Sequence, residues 1–253
     1  MVLPLLLAAV GVAATAGLAS AAVAARALTS LAGLVAAVFG AIIVVFGGFP
    51  YLILLVLFVV GSVLATRYGF EEKARAKLQE GTRGERGISN VLAHIVIPTA
   101  LVVTSFVSPD TLSAPALAVA YTAALAFGSA DTFASEFGVL VGRARSILTF
   151  RRVPPGTNGG VSVVGEVWAI VGAAATAVVG LVLFFVFGSP DLQPASFLAI
   201  SLLAGFTGCQ IDSVMGELLE NRGLLTKGTT NFFAMLATVV LALVLLAVLG
   251  VPL

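Results

Sequence analysis

Two short stretches carry carboxylates at one spacing, Asp131-Thr-Phe-Ala-Ser-Glu136 and Asp212-Ser-Val-Met-Gly-Glu217. Each pairs an aspartate and a following hydroxyl residue with a glutamate five positions on. Asp131 and Asp212 suit Mg²⁺, a hard cation that takes one or two carboxylates and leaves its other positions to phosphate and water. Glu136 and Glu217 fall about 140° around a helix from their aspartates. They are therefore candidates either for a second pair of catalytic carboxylates or for facing a loop. Ser135 and Ser213, inside the same motifs, are candidate phosphate contacts. Each motif is followed by a Gly/Thr/Asn run, Gly156-Thr-Asn158 and Gly228-Thr-Thr-Asn231, read as a turn before a returning helix.

Arg143, Arg145, Arg151 and Arg152 precede Pro154-Pro155-Gly156-Thr157-Asn158-Gly159-Gly160, with no anion between Arg143 and Ser162. The prolines pre-set φ and the glycines allow left-handed backbone, so successive amides can converge on an anion. A helix starting just beyond adds partial positive charge. Pro155, Gly156, Thr157, Asn158, Gly159 and Gly160, with Arg151, Arg152, Lys227 and Asn231, thus form a candidate polyphosphate cradle. It is not a P-loop, because no G-x-x-x-x-G-K-[ST] occurs. Upstream, Asn90 and His94 share a helical face; Asn90 is a further candidate contact, and the lone histidine reads as a hydrogen-bonded packing residue. The competing readings are simple: carboxylates at span ends can snorkel, and loop arginines can merely set topology.

The elements that hold these residues are apolar. Of 253 residues 60% are hydrophobic and 10% charged, and mean hydropathy is +1.15, which excludes a soluble globule. One cysteine (Cys209) and one histidine exclude an intrachain disulfide and a His/Cys zinc cage, so any metal sits on oxygen. A net charge of +1 argues against a nucleic-acid partner. The fold class is all-α, a polytopic transmembrane bundle of about eight spans. They run from Val2 to Ala25, Leu28 to Gly47, Pro50 to Thr66, Val91 to Val107, Leu112 to Ala130, Val163 to Phe187, Ser196 to Ile211 and Phe232 to Leu249.

This reading puts all 13 Lys and Arg on one side. The positive-inside rule makes that side cytoplasmic, with both termini outside and the chemistry at the inner face. The first span is read as a true span and not a cleaved signal peptide, since no basic residue precedes Arg26. Ala- and Gly-rich stretches, Ala8 to Ala25 and Gly172 to Gly180, predict close helix packing. Phe70, Ala74 and Leu78, with Glu71 four residues before Arg75, predict a short interfacial helix whose charges are solvated.

The chain divides into a three-span part (1–66), an interfacial loop (67–90) and a five-span part (91–253) containing repeat units 112–187 and 196–249. Asp131 lies 16 residues after Pro115, and Asp212 lies 16 after Ser196, so both reach about 24 Å along their helices. Matching sequence, depth and following turn indicate a duplicated helix-loop-helix unit.

The stretches Gly128 to Glu136, Val153 to Ser162 and Gly208 to Gly216 resemble the phytyl-phosphate kinase family of polytopic membrane proteins, long carried as a domain of unknown function. The resemblance extends from about Arg83 to Asn231, with the Pro-Gly-Thr-Asn loop its most specific part. A more distant similarity is to dolichol kinases and CDP-diglyceride synthases. The resemblance implies a Mg²⁺-dependent enzyme that moves a phosphoryl group from a nucleoside triphosphate, with CTP a candidate, to an isoprenoid monophosphate. Around Asn90 and His94 the match is looser. The alternatives are a kinase acting on a prenol, a secondary transporter built on paired membrane carboxylates, and a non-catalytic scaffold.

Overall fold

The computed structural model describes residues 2–188 and 191–253. Eight long apolar helices are present: α1 (Val2–Ala24), α2 (Ser30–Phe46), α3 (Phe49–Arg67), α5 (Ile88–Val107), α6 (Ala114–Gly138), α7 (Val163–Phe187), α8 (Pro194–Met215) and α9 (Lys227–Val248). The short α4 (Phe70–Arg75) lies between α3 and α5. Seven are long and apolar enough to cross a membrane, and α2, at 17 residues, falls just short. The protein is an integral, multi-pass helical membrane protein.

Helix α6 is the axis. It packs against α3, α5, α7, α8 and α9, and every residue from Ala116 to Ala130 is buried. Its run of alanines makes this possible: lipid supplies no hydrophobic drive between helices, so association depends on close van der Waals approach. A Cβ on Gly172 of α7 would fall 2.7 Å from the Ser129 carbonyl oxygen, and one on Gly205 of α8 would fall 2.6 Å from the Ala126 side chain. The Gly172–Gly180 expectation is met against α6. The alanines of α1 behave differently: α1 packs chiefly on α2 at the periphery, and much of its surface is open.

Contacts between connections tie each end of the bundle together. At the basic end, the α1–α2 turn meets the start of α5 through the Thr29 amide, which donates to the Arg86 carbonyl at 3.1 Å. At the other end, Ser113 at the start of α6 bonds the Pro252 carbonyl.

Three details depart from expectation. The α6–α7 connection is not a plain loop but carries a three-stranded antiparallel sheet in the order β2 (Arg152–Val153), β1 (Ala144–Ser146), β3 (Gly160–Val161). Helix α8 ends in a π-helical turn, Gly216–Glu220. Gly228 to Asn231 is not a turn; it is the first turn of α9, which starts early because Thr226 and Thr229 cap each other's backbone amides.

Candidate functional site

At the basic end the bundle opens into a cavity of about 400 Å³. One wall is made by the ends of α6 and α8, which bring in Asp131, Ser135, Asp212 and Ser213. A second is the 155–162 segment with Glu166 of α7, and a third is Lys77 to Glu80 with Lys227 of α9. Asp131 and Asp212 lie seventeen and eighteen residues into helices that both run toward this end. Equal rise therefore delivers two carboxylates to one depth.

The two aspartates differ in their partners. Asp131 Oδ2 accepts from Asn231 Nδ2 at 3.2 Å. Asp212 Oδ1 is buried without a hydrogen-bond partner among the described residues, as is Gln79 Oε1 on the facing wall. A carboxylate oxygen left in this state costs free energy unless something with donors or positive charge meets it. Among the described residues no group of three or more His, Cys, Asp and Glu side chains could by itself hold a metal. A cation at this wall would need oxygens from a ligand, as Mg²⁺ on a polyphosphate has.

The paired glutamates are tethers. Glu136 is only 7% exposed; its two oxygens accept from Thr66 Oγ1 at 2.7 Å and Lys73 Nζ at 2.6 Å. Lys73, 1% exposed, also donates to the Ala65 and Thr66 carbonyls. The charges of the short interfacial helix are therefore not all solvated. Lys73 is drawn inward to compensate Glu136, whereas Glu71 and Arg75 do pair on the surface. Glu217 turns from the cavity toward the sheet, where Oε1 accepts from Ser146 Oγ at 2.6 Å and Oε2 from the Leu148 amide at 3.4 Å. Glu136 lines the cavity with both oxygens hydrogen-bonded, whereas Glu217 does not line it.

The 155–160 loop lines the cavity as expected, but its amides are partly committed. Thr157 N donates to the Pro154 carbonyl and Gly160 N to that of Thr157. Gly159 adopts φ +76° where a Cβ would meet Glu217 Cβ at 2.4 Å, so both conformation and space require glycine. Arg151 and Arg152 are exposed and do not line the cavity, Arg152 lying in the edge strand β2 and Arg151 just before it. The cations at the cavity are Lys77 and Lys227, the latter 3.4 Å from Glu80.

Asn90 is also elsewhere. A buried chain of polar groups runs behind the cavity wall. Arg86 Nη2 donates to Thr66 Oγ1 at 3.1 Å and Nη1 to Asn90 Oδ1 at 3.0 Å. His94 Nδ1 meets the Asn90 carbonyl at 2.9 Å, and Asn231 Nδ2 lies 3.5 Å from His94 Nε2 and bonds Asp131. Asn90 and Asn231 thus position Asp131 from behind. Burial pulls the Arg86 guanidinium below its ordinary value, opposed by the carboxylates of Glu80, Glu136 and Asp131.

The family described as "Integral membrane protein DUF92" matches residues 13–246. The chain belongs to that family. Among its DUF92 relatives, an uncharacterized membrane protein of Methanocaldococcus jannaschii is 31% identical over 198 residues, covering 78% of this chain and 76% of that one. An uncharacterized membrane protein of Synechocystis is 33% identical, covering 68% and 64%. Protein PGR of Arabidopsis thaliana is 33% identical, covering 70% and 66%. No solved structure matches.

Five charged groups on or beside this DUF92 cavity escape sequence reasoning: Lys73, Lys77, Glu80, Glu166 and Glu220. Glu166 is held by Gln210 Nε2 at 2.9 Å, and Glu220 by Thr230 Oγ1 at 3.3 Å. Each is a single charge in a loop or at a helix end, without the repetition that makes the aspartates stand out. A usable signal does exist for Glu166, which falls in the first turn after the glycine loop, where a carboxylate favours the helix dipole.

Proposed function

We propose that the cavity at the basic end is a phosphotransferase site on the cytoplasmic face, with both termini outside. It takes a nucleoside triphosphate, CTP among the candidates, and an isoprenoid monophosphate such as phytyl or geranylgeranyl phosphate, and it yields the diphosphate. The observation that carries this reading is that Asp131 and Asp212, from equivalent helix ends, line one cavity with the 155–162 loop. The sequence resemblance supplies the reaction class.

The charge balance of the wall supports a metal-bound substrate. Asp131, Glu166, Asp212 and Glu220 face Lys77, while Lys227 is engaged with Glu80 and Glu136 with Lys73. A free polyphosphate would be repelled here, whereas its Mg²⁺ complex would carry less charge and present a cation to the carboxylates. Asp131 and Asp212 would hold the Mg²⁺, and Asp212's unpartnered oxygen fits that role. Held by these two aspartates, such a cation would offset charge on the phosphate oxygens.

The protein's own work is mostly positioning and charge stabilisation. Asn231 fixes the Asp131 carboxylate. Lys77, Lys227, Ser213 and the amides of the 156–160 loop that the turn leaves free are the groups for the phosphate oxygens, and Ser162 and the start of α7 bound the site. An oxygen of the acceptor phosphate attacks the γ-phosphorus, the bond to the β-phosphate oxygen breaks, and the nucleoside diphosphate leaves. A phosphate monoester has its second pKa near about 6, so the acceptor is already largely ionised and no general base is needed. Glu136's engagement with Lys73 and His94's place behind Asn231 are compatible with that. An alcohol acceptor would need a proton removed, and for that reading Asp131, which lines the cavity, is the candidate base. The one-ended site weighs against a transporter, whose substrate sites lie near the midplane.

The test is purified protein with Mg²⁺, a nucleotide panel and geranylgeranyl or phytyl phosphate. Diphosphate should form. Phosphorylation of free prenol alone would overturn the acceptor, and no nucleotide-dependent product would overturn the enzyme.

A further inference from the structure

A second cavity, of about 160 Å³, lies between α1, α2, α3 and α5. It is almost wholly apolar. One face is notched by Ala19, Ala22, Ala36 and Gly40, and Leu55 and Val59 are among the residues of α3 that line it. Its polar lining includes Ser62, Arg86, Asn90 and His94. Ser62 Oγ and Arg86 Nε are buried and lack hydrogen-bond partners among the described residues, although Arg86 Nη1 and Nη2 each donate one hydrogen bond. Two unpartnered donors at one end of an apolar chamber describe a site for a chain with an accepting head.

We infer that this second cavity holds the head-proximal part of an isoprenoid chain, with its oxygen-bearing end toward Arg86 and Ser62. The volume is on the order of the ~150 Å³ apolar cavity that admits one benzene. It therefore fits about one isoprene unit and leaves the remainder of the tail to the lipid. The alternation of small and branched side chains suits methyl branches, since close packing rewards bumps that match notches. His94, which lines this cavity, leads through Asn231 to Asp131 on the first, so the two chambers share a polar wall. The three N-terminal helices then have a task besides support. The inference rests on the phosphotransferase reading only for the choice of an isoprenoid over another amphiphile.

The experiment is photolabelling of the full-length protein in nanodiscs without nucleotide, using a diazirine analogue of geranylgeraniol and, in parallel, one of palmitic acid, with cross-linked peptides mapped by mass spectrometry. The isoprenoid probe should label residues 52–62 and 88–95. Unlabelled geranylgeranyl phosphate should compete, and Ala36→Phe or Ala22→Phe, which fill the chamber from half-buried positions, should cut labelling at least about fivefold. Ser62→Ala should leave the melting temperature of the free protein unchanged or higher and weaken competition. Labelling spread over the outer faces of α1 and α7, labelling by the acyl probe alone, or indifference to Ala36→Phe overturns the inference. Because no turnover is required, labelling without kinase activity would leave this cavity standing and remove the enzyme, whereas activity undisturbed by Ala36→Phe would do the reverse.

Discussion

The two acidic motifs share an aspartate and a glutamate at one spacing yet do different work. In both, the aspartate reaches the cavity wall; beyond it the copies diverge. Glu136 reaches back to Lys73 and Thr66 and fastens the segment after α3, while Glu217 reaches forward to Ser146 and Leu148 and fastens the sheet. Asp131 is hydrogen-bonded by Asn231, and Asp212 has an oxygen with no partner. Two like motifs thus bring the same aspartate to one cavity wall, while their glutamates anchor two unlike caps.

Neutralising the aspartates is the largest test. Asp131→Asn and Asp212→Asn should each lower turnover on the order of 10²–10³-fold or more, the scale for losing a charge-stabilising group in a reaction site. Their folding should separate them. Asp212→Asn relieves a buried oxygen of its charge, so its melting temperature should hold or rise in the absence of ligand. Asp131→Asn keeps an acceptor for Asn231 and should change little. An active double variant would remove the aspartates from the mechanism.

The glutamates should split by stability. Lys73→Met leaves Glu136 as an uncompensated buried charge and should cost about 3–5 kcal/mol, read as thermal unfolding in detergent. Adding Glu136→Gln should recover much of that, a coupling that a surface pair would not show. Glu217→Gln weakens only bonds to Ser146 and Leu148 and should leave unfolding nearly unchanged. A net loss of about 1 kcal/mol would instead loosen the sheet, seen as faster proteolysis near Leu148 and a several-fold higher KM for nucleotide. Equal melting shifts in Lys73→Met and Glu217→Gln would erase the distinction.

What could be read from the chain alone follows from how each feature is encoded. The spans are legible because lipid demands about 20 apolar residues at a stretch, and the aspartates because the motif occurs twice. Lys73 is not: Phe70-Glu-Glu-Lys-Ala-Arg75 has the pattern of a solvated turn of helix, and only the third dimension brings Glu136 beneath it. Gly228 to Asn231 misleads because Gly, Thr and Asn are turn residues, yet the Thr226–Thr229 capping box is a helix-start signal lying in the same stretch. The sheet is short, its strands two or three residues each, below what periodicity resolves.

Arg151 and Arg152 give the smallest expected effect and the cleanest check on the asymmetry of the two connections. Sequence spacing places both beside the glycine loop, in the position of a phosphate clamp, but Arg152 lies in the edge strand β2, Arg151 just before it, and both are exposed off the cavity. Exposed cations without partners contribute little to stability, so Arg151→Ala and Arg152→Ala should each stay within about 0.5 kcal/mol of the parent. The double variant should change nucleotide KM by less than about threefold, a difference of roughly 0.6 kcal/mol. By contrast Lys227→Ala, which removes a cation from the cavity itself, should raise KM further. If the arginine pair proves the more damaging, the sheet must fold over the cavity when nucleotide binds, and the first connection is then a moving cap and not a fixed wall.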